Sequence, residues 1–212
     1  NPTSQDIRWS VAASPTLRED VEAALNTDRT KGEIVKGEKR VVFCRTPEAL
    51  KSVGLKDADV YSKAYVLRKV KKEHGVTADQ IVGVPELLAS PAAIFDDYGK
   101  GYVVLTTAQT PDEDGVLAPL AIIIRPDEEG NYIASAYSRK EASEAKYVGF
   151  VRDGKVLYLD KNKVTDLTLR GEAQSSLSTF SIGDDVVTPE RITAGSIAKS
   201  AADGNGMRLS IG

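Results

Sequence analysis

The chain has 212 residues, 41% of them hydrophobic and 28% charged, with a formal net charge of −3. That is enough for one substantial domain, or for one of about 120 to 150 residues with irregular ends, and no apolar run approaches the roughly 20 residues that span a bilayer. With one cysteine, Cys44, and one histidine, His74, the chain cannot hold an internal disulfide framework, a zinc ribbon or a metal site of several His and Cys ligands, although a carboxylate site for magnesium is not excluded.

The chain begins at Asn1 without a signal-like start and reads as a fragment of a longer protein. A short helix is expected from Thr16 to Leu25, where Leu17, Val21, Ala24 and Leu25 share one face. NTDRTKGE reads as a turn-rich link, and KRVVFCR as a strand that buries Cys44 as a small hydrophobe. TPEALKSVGL reads as a small helix, with Thr46 as N-cap, Pro47 at its first position and Gly54 at its stop. DVYSK is extended. A helix follows from Lys63 to Glu73, ended by Gly75; Thr77 caps the next turn, and PELLAS forms another short helix closed by Pro91.

A meander comes next, with strands expected at Ala93–Phe95, Tyr102–Thr106, Leu120–Ile124 and Asn131–Tyr137, separated by the turn sequences DDYGKG, PDEDG and PDEEGN. Ser138 to Phe150 is expected to cross the sheet as a helix, and VLYLD to be a further extended arm. After about Thr165 the periodicity fades into Ser, Gly and Ala, which reads as a tail contributing little to the core. The order of elements gives an α+β class: short N-terminal helices, then a small antiparallel sheet. The organisation is a helical extension or linker over 1–40, a domain over 41–164 and a tail or linker over 165–212.

Charge is unevenly spread. Lys63, Arg68, Lys69, Lys71 and Lys72 stand against Glu73 alone within 61–75, whereas six acids face Arg125 within 111–130. A local basic face on an acidic whole is therefore expected.

Four blocks carry a family resemblance: RTPEALKSVGL; KKEHGVTADQIVGVPELLASPAAIF, with its His-Gly pair after a helix; NYIASAYSRK, with a Ser-x-Tyr signature before a basic residue; and GFVRDGKVLYLDKNK. In this order, over Val41 to Val164, they resemble the phage MuF-type C-terminal domain. The residue before His74 is Glu73, where that family tends to have Lys. The resemblance implies the barnase, EndoU, colicin E5/D and RelE-like ribonuclease fold class, and attachment to larger phage or mobile-element proteins. It implies a metal-independent endoribonuclease acting in the bacterial cytoplasm without a cofactor, with RNA as substrate and an immunity or inhibitor protein as partner.

Cleavage of RNA through its own 2′-hydroxyl needs a proton acceptor, a proton donor and cations or hydrogen-bond donors on the phosphoryl oxygens. His74 is the candidate for proton transfer, because imidazole titrates near neutrality. Ser135 and Tyr137, two apart on a strand, share one face and are the candidate hydroxyls, while Lys69, Lys72 and Arg139 are the candidate phosphate contacts. Tyr61, Tyr65 and Tyr102 are candidates for stacking on bases. The competing reading is a non-catalytic interaction or structural module that keeps the fold. A nucleotidyl or ADP-ribosyl transferase is disfavoured by the lack of a paired-glutamate motif and a glycine-rich phosphate loop.

Overall fold

The apolar run after Leu117 has no polar alternation, and its place in the fold gives the reason. In the computed structural model, which describes residues 12–26, 39–112, 114–138 and 141–195 (with the side chains of 141–144 left aside), the strand Leu117–Pro126 is buried continuously from Ala118 to Ile124. Leu120, Ile122 and Ile124 enter one hydrophobic cluster, and Ala121 and Ile123 enter another on the opposite face. A strand covered on both faces reads as a hydrophobic run.

In chain order the elements are α1 (Leu17–Asn26), β1 (Arg40–Arg45), α2 (Glu48–Ser52), β2 (Asp59–Lys63), α3 (Ala64–His74), α4 (Ala78–Val82) and α5 (Val84–Ala89). They continue as β3 (Ala93–Asp96), β4 (Tyr102–Pro111), β5 (Leu117–Pro126), β6 (Asn131–Ser138), α6 (Glu141–Arg152), β7 (Val156–Leu159), α7 (Lys161–Asp166) and α8 (Glu172–Ser178), with a further helix over 189–195. The seven strands form one sheet in the order β1-β2-β6-β5-β4-β3-β7. Helices α1 to α5 bury Leu17, Val21, Leu50, Leu67, Val70, Ile81 and Leu88 against one face. The segments from α6 onward bury Tyr147, Phe150, Val164 and Leu177 against the other. Phe95, Tyr147 and Phe150 stack at ring separations of 4.9 and 5.5 Å, and truncating such a buried ring to alanine costs about 3–5 kcal/mol.

The mixed helix-and-strand class is as expected, and so are the four meander strands, which pair antiparallel. The sheet is not small, however. KRVVFCR and DVYSK join it as β1 and β2, and β2 pairs parallel with β6 through Val60↔Asn131 and Tyr61↔Tyr132. That pairing joins segments some 70 positions apart, which no local pattern announces. Gly130 makes it sterically feasible, since a Cβ there would stand 2.5 Å from the Asp59 carbonyl oxygen.

Thr46 is not the N-cap of α2. Pro47 holds that position, while the buried Thr46 hydroxyl donates to the carbonyls of Lys56 and Ala58, each at 2.8 Å. Thr77 does cap α4, in a reciprocal capping box with Gln80. Cys44 is buried, and that burial, aided by the Asp59 carboxylate, pushes its thiol up to about 12.

For the described residues after Thr165, up to 195, the expectation of little contribution to the core is overturned. Leu167, Leu169, Ala173, Leu177, Val186 and Ile192 are buried, and Val187 bridges Tyr158 of β7. Their anchors are too widely spaced to show periodicity, because short helices and loops each deliver one or two of them. The N-terminal side docks as well: α1 packs on α3, α4 and β1, and Ala13 bridges Cys44 of β1.

Candidate functional site

β2 accompanies β6 for two residue pairs only. The chain then turns into α3, which packs along the β6 margin that β2 leaves uncovered. Ala64, Val66, Leu67 and Val70 bury one side of α3, and Gly75 ends the helix in the left-handed conformation at φ 63°, the backbone state glycine adopts without steric cost. His74, the last helical residue, is thereby carried to the far end of β6.

There it meets Tyr137. The two rings lie 5.4 Å apart, inclined by 48°. Tyr137 packs on the α6 side of the sheet, whereas the body of α3 packs on the other; the rings meet because α3 runs beside the strand margin. A cleft of about 160 Å³ opens at this point, lined by Glu73, His74, Gly75, Pro111, Asp112 and Ser138. The hydroxyls of Ser138 and the buried Thr110 hydrogen-bond each other, and Ser138 donates to the Ala118 carbonyl at 3.1 Å.

Of the expected residues, His74 and Tyr137 come together. Ser135 faces the same side as Tyr137, paired with Ile123 across the strand, and lies two positions, roughly 7 Å, up the strand; it is Ser138 that lines the cleft. Lys69 and Lys72 are exposed on α3, and Lys69 pairs with Glu73 at 3.7 Å. At 3.6 residues per turn, Lys72 lies roughly 200° around the helix from His74, and neighbours on that face are three or four residues apart. Arg139 lies outside the described residues. Of the tyrosines, Tyr61 is buried with its hydroxyl donated to Asp127, and Tyr65 and Tyr132 join hydroxyls at 3.1 Å near the opposite end of β6. The Tyr102 hydroxyl approaches Gly54.

Asp112, read from the sequence as a turn residue and a weak magnesium candidate, forms an ion pair with Arg170 that sequence reading does not show. Asp112 belongs to PDEDG, which looks like an ordinary turn, and it does act as one: its Oδ1 accepts from the Asp114 and Val116 N–H groups at 2.8 and 2.9 Å. Its other oxygen meets Arg170 at 2.8 Å, with 0% of the Asp112 side chain and 19% of the Arg170 side chain exposed. Burial alone raises the Asp112 carboxyl, but the two N–H donors and the guanidinium outweigh it and hold the group below the ordinary aspartate value. Among the described residues, no cluster of three or more His, Cys, Asp or Glu side chains is arranged to hold a metal ion, and no helix is long and apolar enough to cross a membrane.

Residues 66–166 match the family model of the phage MuF-C-terminal domain. The match runs from the first turn of α3 to the end of α7, and so contains His74, Asp112, Tyr137 and Ser138 but not Arg170. It supports a bacteriophage association. No curated protein and no solved structure matches the chain.

Proposed function

We propose that this chain carries a metal-independent endoribonuclease module of a phage or mobile-element polyprotein, and that its active site is the cleft at the end of α3. The observation that carries the reading is the meeting of His74 and Tyr137 at a ring separation of 5.4 Å beside a cleft, inside the stretch that matches a phage domain. Imidazole is suited to both halves of the chemistry. It accepts the proton of the ribose 2′-hydroxyl as that oxygen attacks phosphorus, and the P–O5′ bond breaks with the 5′-oxygen taking a proton. The products are a 2′,3′-cyclic phosphate and a 5′-hydroxyl. In this reading the Tyr137 hydroxyl holds a phosphoryl oxygen, with Ser135 further along the strand, while the Ser138 hydroxyl in the cleft lining is already given to the Ala118 carbonyl; Arg139 follows Ser138 in sequence. A cytoplasmic bacterial RNA as target and an immunity protein as partner complete the proposal.

The test is cleavage of total bacterial RNA by purified wild type and His74→Ala, in the presence of a chelator, with end-group analysis. Cleavage to cyclic-phosphate ends that depends on His74 supports the reading; equal cleavage by both proteins, or none by either, rejects it. The non-catalytic interaction module is the second reading. Glu73 favours it, since it places a carboxylate in the cleft lining, where it repels phosphate.

A further inference from the structure

We infer that the open sheet face at the start of β6 is a second RNA subsite, in line with the His74 cleft: an unpaired base stacks on Tyr132 beside Tyr65, and Lys63 and Arg125 hold the adjoining phosphates. The inference rests on the ribonuclease reading for its ligand, single-stranded RNA, and not on turnover.

Strand register places the rings. Directly paired residues put their side chains on the same face of a sheet, and Tyr132 is paired with Arg125 on one side and with Tyr61 on the other. Arg125, Ile123 and Ala121 alternate along β5 and so share a face. Their partners Tyr132, Ser135 and Tyr137 therefore share it too, the extra residue of β6 falling between Ile133 and Ser135. One stripe thus runs along β6 from Tyr132 to the tyrosine that meets His74.

This face is covered over only part of its width. Among the described residues, the cluster under α6 to α8 takes its strand residues from β3, β4, β5 and β7 and none from β1 or β2; of β6, Ala134 and Tyr137 pack against it. Tyr132 and Ser135 are half-buried, Lys63 and Arg125 are exposed, and Tyr65 is 44% exposed. The aromatic groups touch in series. The Arg40 guanidinium stands 4.1 Å over Tyr61, the Tyr61 and Tyr132 rings are 5.5 Å apart, and the Lys63 ammonium stands 5.7 Å over Tyr132. Tyr132 also packs against the first cluster, and its hydroxyl meets that of Tyr65 at 3.1 Å.

The hydrogen-bonding groups around these rings are engaged within the fold: Tyr61 donates to Asp127, and Ser62 to the Ile133 carbonyl. A ligand is offered ring surface and charge instead, which suits the faces of unpaired bases whatever their edges. An exposed ammonium over a ring is held weakly, so a base can take its place on Tyr132 while Lys63 turns to the neighbouring phosphate. Among the acids nearby, Asp59 is paired with Arg40 and Arg45 at 3.1 and 3.3 Å, and Asp127 accepts from Tyr61 and from the Glu129 and Gly130 N–H groups. Glu128 and Glu129 on the β5–β6 turn repel phosphate, so the strand's path leads away from that turn, toward Tyr137. The stretch of β6 from Tyr132 to Tyr137 and the stretch of α3 from Tyr65 to His74 both measure on the order of 15 Å, room for a few nucleotides. That continuity with the cleft favours RNA over a protein partner, for which tyrosine and arginine would also serve.

The test is fluorescence-anisotropy binding of a short labelled oligouridylate to the full chain carrying His74→Ala, which removes cleavage from the measurement. Tyr132→Leu is expected to weaken binding roughly 5- to 100-fold, and Tyr132→Phe, which keeps the ring, to bind close to the parent. Lys63→Gln and Arg125→Gln should each make the dependence of log affinity on log salt shallower by about 0.7. These two exposed substitutions carry the test if Tyr132→Leu does not fold. The same oligonucleotide annealed to its complement should bind more weakly, because its bases are stacked inside the duplex. Unchanged affinity in folded Tyr132→Leu, unchanged salt dependence in both K63Q and R125Q, or a duplex bound as tightly as the single strand overturns the inference; the first two outcomes would leave the face to a protein partner. Cleavage of the oligonucleotide by the chain with His74 intact is followed separately. Ring-dependent binding without cleavage sustains the subsite and rejects the ribonuclease reading; His74-dependent cleavage with binding indifferent to Tyr132, Lys63 and Arg125 does the reverse.

Discussion

The two ends of β6 use polar residues in opposite ways. At its start, Asn131 is fully buried, and its amide donates to the Thr46 hydroxyl at 2.7 Å and to the Lys56 carbonyl at 2.9 Å. Ser62, also buried, donates to the Ile133 carbonyl at 2.8 Å, and Tyr61 donates to Asp127. Apart from the Asn131 amide oxygen, which is buried without a hydrogen-bond partner, these groups answer one another within a region where three strands meet. At the far end β2 has gone, α3 stands in its place, and His74, Tyr137 and Ser138 gather beside an open cleft. A strand flanked by strands consumes its polar neighbours in holding the fold, whereas a strand flanked by a helix end leaves room for a ligand.

The comparison breaks most sharply if mutations at the two ends do not separate stability from activity. His74→Ala is expected to lower RNA cleavage by about 10²- to 10⁴-fold, the usual contribution of a proton-transfer group, with a melting temperature close to wild type because the ring lies at a helix terminus. Single-turnover cleavage and a thermal melt on the same preparation check this. Asn131→Ala should do the converse. It removes two buried hydrogen bonds, to the Thr46 hydroxyl and the Lys56 carbonyl, so stability in urea falls by about 1–3 kcal/mol while cleavage by the remaining folded protein stays at the wild-type rate. Tyr137→Phe sharpens the picture at the cleft end. Loss of one hydroxyl hydrogen bond is worth about 0.5–1.5 kcal/mol, or roughly 2- to 10-fold in rate, so the variant should cleave faster than His74→Ala; a loss as great as that of His74→Ala would make Tyr137 the proton-transfer group.

The smallest effect concerns pH. Burial raises the Asp127 carboxyl, but the Tyr61 hydroxyl, the Gly130 and Glu129 N–H groups and the charge of Lys56 outweigh it and hold the folded-state value below the ordinary one. A depressed folded value means the stabilisation is present above the unfolded aspartate value, about 3.9, and is lost as pH falls through the folded value. Asp127→Asn should therefore be less stable than wild type at neutral pH, and the difference should narrow as the solution is acidified below about pH 3. Urea unfolding at several pH values measures it; a gap that widens on acidification contradicts the assignment.

Much of this was written in local sequence. The αL stop at Gly75, the Thr77 cap and the meander strands follow from turn chemistry and β-rich runs read one segment at a time. The pairing of His74 with Tyr137 was expected from the placing of a helix end near a strand face, and the rings do meet. What was not legible depends on contacts between distant segments. The parallel β2–β6 pair has no local signature. Asp112 looks like a turn former until its second oxygen is seen on Arg170. Ser138 rather than Ser135 lines the cleft because Ser138 is the last residue of β6, at the end that His74 reaches, while Ser135 lies three positions back. The segment after Thr165 hid its role because its anchors arrive singly on short helices.

The two bridges noted at the outer strands bear on how this protein keeps to itself. A sheet ends in rows of unanswered N–H and C=O groups, and an exposed row of that kind is a template on which another chain can add a strand. Here Ser14 donates to the Phe43 carbonyl at 2.8 Å along β1. Along β7, Val187 donates to the Leu157 carbonyl at 2.9 Å and accepts from the Leu159 N–H at 3.0 Å. The chain's own flanking segments thus occupy part of each margin, so segments that look dispensable in sequence act as selvedges, blocking strand-by-strand growth of one molecule's sheet into the next.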